Sequence, residues 1–318
     1  MSRALICGVG GQDGAYLAKY LLELGYEVIG TSRDAMAAGF ANLVKLGIDD
    51  QVTKSSMAIN DFRSVLSTIK KYRPDEIYNL AGQSSVGLSF GQPVETMESI
   101  ALGTINFLES IRFLELPVRF YNAGSIECFG DTDEGGADEQ TPFRPRSPYA
   151  VAKASAHYLV ANYREAYKLY CCTGILSNHE SPLRPERFVT RKIIQAAIRI
   201  SKGSTEKLHL GNVDIKRDWG WAPEYVIAMR SILQQDKPDD FVIATGRAVS
   251  LGYFAEQAFE FFGLDWMKHV EIDHALMRPS DIRIGAANPA KANEQLGWKA
   301  RVTVEEVVVR IIADADAI

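Results

Sequence analysis

Arg3-Ala4-Leu5-Ile6-Cys7, followed by Gly8-Val9-Gly10-Gly11-Gln12-Asp13-Gly14, is the stretch that decides the fold. The five-residue run reads as a buried strand. The glycine turn leads directly into an amphipathic stretch, Gly14–Leu24, that reads as a helix stopped at Gly25. Gly8, Gly11 and Gly14 stand three apart, which lets the backbone turn tightly, approach a pyrophosphate and pack helix on strand. The helix start, with Gln12 and Asp13 in the turn, offers N–H donors and a partial positive charge to an anion. In a chain with 25 glycines such a turn is weak by itself. Its place between a first strand and a first helix, with a second strand over Glu27–Thr31, gives it the layout of a dinucleotide cradle.

Outward from that unit, strand and helix patterns alternate. Asp61–Lys71 reads as a helix, Glu76–Ala81 as a strand, Glu95–Phe113 as a helix and Arg119–Ala123 as a strand. A long helix opens at Ser147-Pro148, with Ser as N-cap and Pro in the first helical position, and Cys171–Asn178 is the next apolar strand. Strands separated by helices of this length imply right-handed βαβ units. The expected fold is therefore α/β, a doubly wound parallel sheet of the Rossmann type, with a smaller, discontinuous C-terminal substrate lobe. Past Asn178 the loops lengthen, and Lys207–Asn212 and Lys216–Trp219 read as short strands of that lobe, yet Asp240–Thr245 reads as another buried sheet strand. The expected division gives residues 1–178 to the dinucleotide-binding domain, which also receives about 220–246, and 179–219 and 247–318 to the lobe.

Composition narrows the function classes. The 318 residues are 47% apolar and 24% charged, an ordinary globular balance, and the formal net charge of −5 offers no field to attract nucleic acid or an anionic membrane. No apolar run approaches the roughly 18 residues that span a bilayer. Met1 to Gly11 runs straight into a strand without a signal-peptide layout, which points to the cytoplasm. Four cysteines without CxxC spacing, and five scattered histidines, give no metal-ligand grouping; Cys7, Cys128, Cys171 and Cys172 are expected to be reduced.

The end of the second strand selects the cofactor. An acidic residue there suits a ribose 2′-hydroxyl and an arginine suits a 2′-phosphate. The chain has both, Arg33 and then Asp34. Arg33 stands nearer the strand end and favours NADP, while Asp34 keeps NAD open. Tyr149 and Lys153 stand four apart at the start of the long helix, on one face. A neighbouring ammonium stabilises a phenolate and would lower the tyrosine pKa, making it a workable base. The pair alone proves little, since chance supplies such spacings. Ser125, at the carboxyl end of the preceding strand, adds a hydroxyl where doubly wound sheets bind ligands. Glu127, two residues on, shares a face with Ser125 in an extended segment. A dehydrogenase or epimerase needs only Ser, Tyr and Lys; a second base beside them allows proton removal next to a new ketone, which is dehydratase chemistry. The same spacing also fits an exposed loop carboxylate.

Glycine turn, strand-end Ser and helical Tyr-Lys, in that order, resemble the extended short-chain dehydrogenase family over nearly the whole chain. Longer strings resemble the GDP-mannose 4,6-dehydratase family: Gly10–Gly14, Asn79–Ser84, Ser125–Gly130, Pro142–Tyr149, Asn178–Pro182, Phe188–Lys192, Leu210-Gly211-Asn212 and Arg217–Gly220. That resemblance implies that Tyr149 takes the proton of the sugar 4-hydroxyl, that Glu127 removes the C5 proton and assists loss of the 6-hydroxyl, and that the cofactor is recycled. It further implies that Leu80, Ala81, Gln83, Ser84, His179 and Arg184 line the cofactor site with Tyr149 and Lys153. Asn178, Glu180, Lys192, Gly211, Arg217 and Arg278 would hold the nucleotide sugar, GDP-mannose or another GDP-sugar such as a GDP-heptose. Taken singly, each cation also fits an ordinary surface role. Dimerisation through the helix of Tyr149 and its predecessor is implied, as homodimer or homotetramer. There are departures: Ser125 stands where threonine is commoner, Ser56-Met57 replaces an acidic adenine contact, and Glu95 stands where some members have a cofactor-contacting tyrosine. Ala35–Asn42 lacks the basic, serine-rich loop that helps build tetramers.

Overall fold

A computed structural model describes residues 1–316, so the last two residues of the expected 247–318 segment lie outside the described residues. The strands are β1 (Arg3–Cys7), β2 (Glu27–Ser32), β3 (Thr53–Ser56), β4 (Glu76–Asn79), β5 (Arg119–Ala123), β6 (Cys171–Leu176), β7 (Asn178–Glu180), β8 (Leu208–Leu210), β9 (Lys216–Trp221), β10 (Phe241–Ile243), β11 (Ala248–Ser250), β12 (Val270–Ile272) and β13 (Ile284–Gly285). Seven form one sheet in the order β10-β6-β5-β4-β1-β2-β3, every neighbouring pair parallel. The order reverses between β1 and β4, which opens a crevice at their carboxyl ends.

The continuous apolar strands follow from cover on both faces. Ala4 and Ile6 face a core shared with Leu17, Ala18 and Leu21 of the helix Gln12–Glu23 and with Tyr225 and Met229 of the helix Ala222–Leu233. Leu5 and Cys7 face Phe107, Leu108 and Ile111 of the helix Gly103–Leu114 and Val160 of the helix Pro148–Tyr167. Cys171 and Cys172 alternate between the same two cores, and all four cysteines are free and buried. Each fully buried Leu, Ile or Phe in these layers contributes about 1.5–3 kcal/mol.

Two local expectations differ from the structure, and one strand forms where none is expected. The helix expected over Glu95–Phe113 is three pieces: Pro93–Met97, a π turn over Glu98–Leu102, and Gly103–Leu114. The wider turn carries Glu98 and Ser99 to the crevice; such insertions recur at functional sites. The strand expected over Cys171–Asn178 stops at Leu176, because the buried Ser177 hydroxyl donates to Asp218 at 3.0 Å and lies 2.6 Å from the Tyr225 hydroxyl, and β7 then joins another sheet. The edge strand β3, Thr-Lys-Ser-Ser, has no apolar alternation to mark it.

In the lobe, β9 pairs with β7, β11 and β13, and β8 pairs with β12. Ile194, Trp219, Phe254 and Ile311 pack beneath them. Asp218 on β9 is fully buried, and its carboxylate accepts from Thr245 N at 3.1 Å and Gly246 N at 2.8 Å as well as from Ser177. One carboxylate thus joins the chain leaving β6, the chain leaving β10 and the lobe, and it keeps the crevice between them in register.

Candidate active site

Gly8 has φ +84 and lies so close to the β4 end that a Cβ would sit 3.1 Å from the Ala81 backbone; a Cβ at Gly14 would overlap the Gly8 carbonyl oxygen and sit 2.7 Å from Val9 Cα. Only hydrogen at both positions allows the turn and the close approach. The turn forms one wall of a cavity of about 540 Å³, a size suited to a bound small molecule. Gly8, Gly11, Gln12, Asp13 and Gly14 line it together with Arg33, Leu80, Ala81, Gln83, Ser84 and Arg184. Two buried polar atoms in its wall have no hydrogen-bond partner, Ser32 Oγ and Arg184 Nε. Backbone N–H groups at a helix start, a strand-end cation and the unpartnered Ser32 hydroxyl fit a dinucleotide phosphate, and Arg184 adds a cation that Glu180 meets at 3.5 Å.

Beneath the cradle, Asp13 Oδ2 lies 2.9 Å from His179 Nε2, while His179 Nδ1 lies 2.7 Å from the Ser177 carbonyl oxygen and the ring stacks on Tyr225. Burial opposes charge on both groups, yet their mutual attraction outweighs it, so Asp13 is held below the usual carboxylate value and His179 above the usual imidazole value. Gln12 Nε2 donates to the His179 carbonyl oxygen at 3.1 Å and its Oε1 accepts from Ser181 at 2.7 Å. His179 thus fixes the cradle from below.

Ser125, Glu127 and Tyr149 converge past the end of β5. All three are buried, the Glu127 N–H donates to Ser125 Oγ at 3.3 Å, and Ser125 and Tyr149 share a hydrogen bond. Ser147 caps the helix as expected, its hydroxyl accepting from Ala150 N at 3.1 Å, and this aims Tyr149 from the first turn. The expected lowering of the phenol is not reached in this arrangement. Burial pushes Tyr149 up, and the Ser125 hydrogen bond offsets only part of that. Lys153 Nζ lies 5.8 Å from the phenol ring centre and donates to the Ala123 carbonyl oxygen at 2.7 Å; burial brings it down to about 8.

The residues expected to hold a nucleotide sugar are dispersed among internal contacts. Arg217 is 4% exposed, with Nε 3.4 Å from Glu127 Oε1 and Nη2 3.0 Å from Asp281 Oδ1. Arg278 Nη1 lies 3.2 Å from the same Asp281 oxygen. Glu180 is buried against Thr190, whose hydroxyl donates at 2.7 Å, and Arg184 at 3.5 Å. The Lys192 ammonium, at the surface, donates to the His209 carbonyl oxygen at 2.8 Å. Asn178 pairs with Trp219 in the ladder, and Gly211 passes close to the Leu276 carbonyl. Asp281, Glu98, Ser99, Arg187 and Phe188 were not foreseen as site residues. Only Asp281 has a local signal, a carboxylate three residues after Arg278. No group of three metal-ligating side chains occurs among the described residues, and none of their helices is long and apolar enough to cross a membrane.

Comparison with known proteins follows the same lines. The profile of the family described as GDP-mannose 4,6 dehydratase matches residues 5–311. GDP-mannose 4,6 dehydratase 1 of Arabidopsis thaliana is 44% identical over 323 residues, covering 98% of this chain and 89% of that protein. The GDP-mannose 4,6-dehydratase of Yersinia enterocolitica is 39% identical, covering 98% and 93%. Among solved structures, dTDP-glucose 4,6-dehydratase of Bacillus anthracis in complex with NAD superposes with a TM-score of 0.87 at 20% identity, over 100% of this chain and 97% of that one. UDP-glucose 4-epimerase of Thermotoga maritima with UDP-glucose gives 0.88 at 22% identity, over 99% of each. These two share the fold.

Proposed function

Because this chain belongs to the GDP-mannose 4,6-dehydratase family, we propose that it is a hydro-lyase that converts GDP-mannose to GDP-4-keto-6-deoxymannose. The observation that carries this reading is Glu127, whose carboxylate is buried 3.4 Å from Arg217 Nε while its backbone N–H donates to Ser125 Oγ at 3.3 Å, beside Tyr149. Held by the residues that line the cavity, an oxidised nicotinamide would supply hydride acceptance, hydride return and a positive charge. Tyr149 Oη moves the proton of the sugar 4-hydroxyl, and Ser125 Oγ holds the same oxygen in place. Lys153 adds the positive charge that a phenolate needs in so buried a position. Once C4 is a ketone, Glu127 removes the acidified C5 proton and returns it to the departing 6-hydroxyl, so water leaves. With hydride restored to C6, the solvent-exchangeable proton that Tyr149 took from the 4-hydroxyl would pass to C5, and the net change is loss of water.

The cofactor we propose is NADP. Arg33 directly follows β2, while Asp34 Oδ1 accepts from Met36 N at 2.9 Å and Ala37 N at 3.2 Å, which turns that carboxylate into its own loop. We also propose a homodimer, or a tetramer of such dimers, because Phe113, Tyr158 and Tyr167 are exposed on the helices Gly103–Leu114 and Pro148–Tyr167. Four free cysteines suit the reducing cytoplasm.

The test is incubation with GDP-mannose and NADP+ without a reductant, followed by mass spectrometry. A product lighter by one water, carrying solvent deuterium when the reaction runs in D2O, is expected. Oxidised or epimerised sugar without water loss would sink the proposal. Glu127→Gln is expected to lower turnover by about 10²–10⁴-fold while the Kd for NADP+ stays within twofold.

A further inference from the structure

The carboxyl end of β2 carries an ion pair that crosses the mouth of the cavity. Arg33 Nη2 lies 3.4 Å from Glu95 Oε1, and both residues line the cavity although 62 positions separate them. Arg33 comes from the segment after β2, and Glu95 from the short helix Pro93–Met97 on the opposite lip. One turn later Glu98 lines the same cavity. The strand-end cation is where a 2′-phosphate would be read, and a phosphate monoester brings close to two negative charges to that point.

We infer that Glu95 is a specificity-determining residue for the cofactor: its carboxylate competes with a 2′-phosphate for Arg33 and narrows the preference between NADP and NAD. The inference rests on the cavity being a dinucleotide site. The Arg33 and Glu95 side chains are 78% and 55% exposed, so the pair is weak and a phosphate displaces it with bidentate contacts. Displacement leaves the Glu95 charge a few ångströms from the phosphate, a penalty that a 2′-hydroxyl does not meet. Asp34 is bound into its own loop and contributes no opposing preference for the hydroxyl. The discrimination is therefore set between one arginine and one glutamate, neither of which the fold requires.

The experiment measures Kd for NADP+ and for NAD+ by calorimetry on the whole purified chain, wild type and Glu95→Gln, at low and high salt. Glu95→Gln is expected to tighten NADP+ about three- to tenfold at low salt, to leave NAD+ within twofold, and to lose most of this gain at high salt. An unchanged ratio of the two constants would overturn the inference. So would weaker NADP+ binding, which would mean that Glu95 holds Arg33 ready for the phosphate, or equal weakening of both, which would mean that Glu95 binds a ribose hydroxyl. If wild type binds neither nucleotide, the dinucleotide reading fails and the inference with it.

Discussion

The glycine cradle is walled by backbone, whereas the region past the end of β5 is walled by charged side chains. At Gly8 and Gly14 the chain passes where a Cβ would meet Ala81 or the Gly8 carbonyl, and the anion donors there are N–H groups that no rotamer change can withdraw. Past the end of β5, Arg217, Arg278, Glu127 and Asp281 form a chain of ion pairs at 3.0–3.4 Å. Backbone of this kind stands ready for its ligand. The side-chain wall already satisfies itself, so under the proposed function a diphosphate would have to exchange partners with Asp281 and Glu127 before it gained the arginines.

Substitutions separate the two walls, the largest effect falling on the rigid one. Gly14→Ala places a methyl against backbone that cannot retreat; the Kd for NADP+ is expected to rise at least about 100-fold, with a lower Tm. Gly25→Ala is its control: φ is +78 but nothing lies within 4 Å of the new methyl, so about 1 kcal/mol of stability is lost and cofactor titration is unchanged. Arg217→Met strips the cation from two carboxylates, one of them buried, and is expected to cost about 3 kcal/mol in chemical denaturation. It should also raise KM for GDP-mannose at least about tenfold, in line with losing a charged hydrogen-bond partner, while NADP+ binding stays within twofold. Equal losses of both ligands would erase the distinction between the walls.

The same division explains what could be read from the sequence. Strands β1, β2, β4 and β5 are marked by apolar runs between glycine and helix signals, and their glycine spacing follows from local backbone geometry. Ser147 as N-cap is equally local and places Tyr149. By contrast, the partnership of Arg217 with Glu127 spans 90 positions and that of Arg33 with Glu95 spans 62, distances across which residue spacing carries no signal. The π turn at Glu98–Leu102 looks like ordinary helix in sequence, because its extra residue is set by packing. Resemblance named many residues of the cleft, but not which carboxylate each arginine meets.

Lys153 stands between the walls and tests what burial does to a charge. Its pKa falls from an ordinary 10.5 to about 8 because the ammonium is packed away from water. The sign follows: between about pH 8 and 10.5 the unfolded chain holds a proton at this lysine that the folded chain has released, so stability rises with pH across that window. Below pH 8 the folded protein bears the full burden of the buried charge. Lys153→Met is expected to stabilise the cofactor-free protein at pH 7 by about 1–3 kcal/mol and to remove the rise, while abolishing turnover. Melts from pH 7 to 10.5 check it, and a variant less stable at every pH would show that the hydrogen bond to Ala123 outweighs burial.

Asp281→Asn has the smallest expected effect and bears most directly on whether the side-chain wall competes with its ligand. The Asp281 carboxylate accepts from Arg217, Arg278 and the Ile282 N–H, the last at 2.9 Å. Asparagine keeps the shape and the acceptor for Ile282 but removes the charge, so the fold loses about 1 kcal/mol or less. Both arginines are then short of one anion, and a diphosphate supplies it. KM for GDP-mannose is accordingly expected to fall about two- to threefold with kcat nearly unchanged, as loss of a competing charge predicts. A KM that rises instead would mean that Asp281 aims the arginines at the substrate, and the side-chain wall would then be preorganised in its own way, through charge pairs rather than backbone.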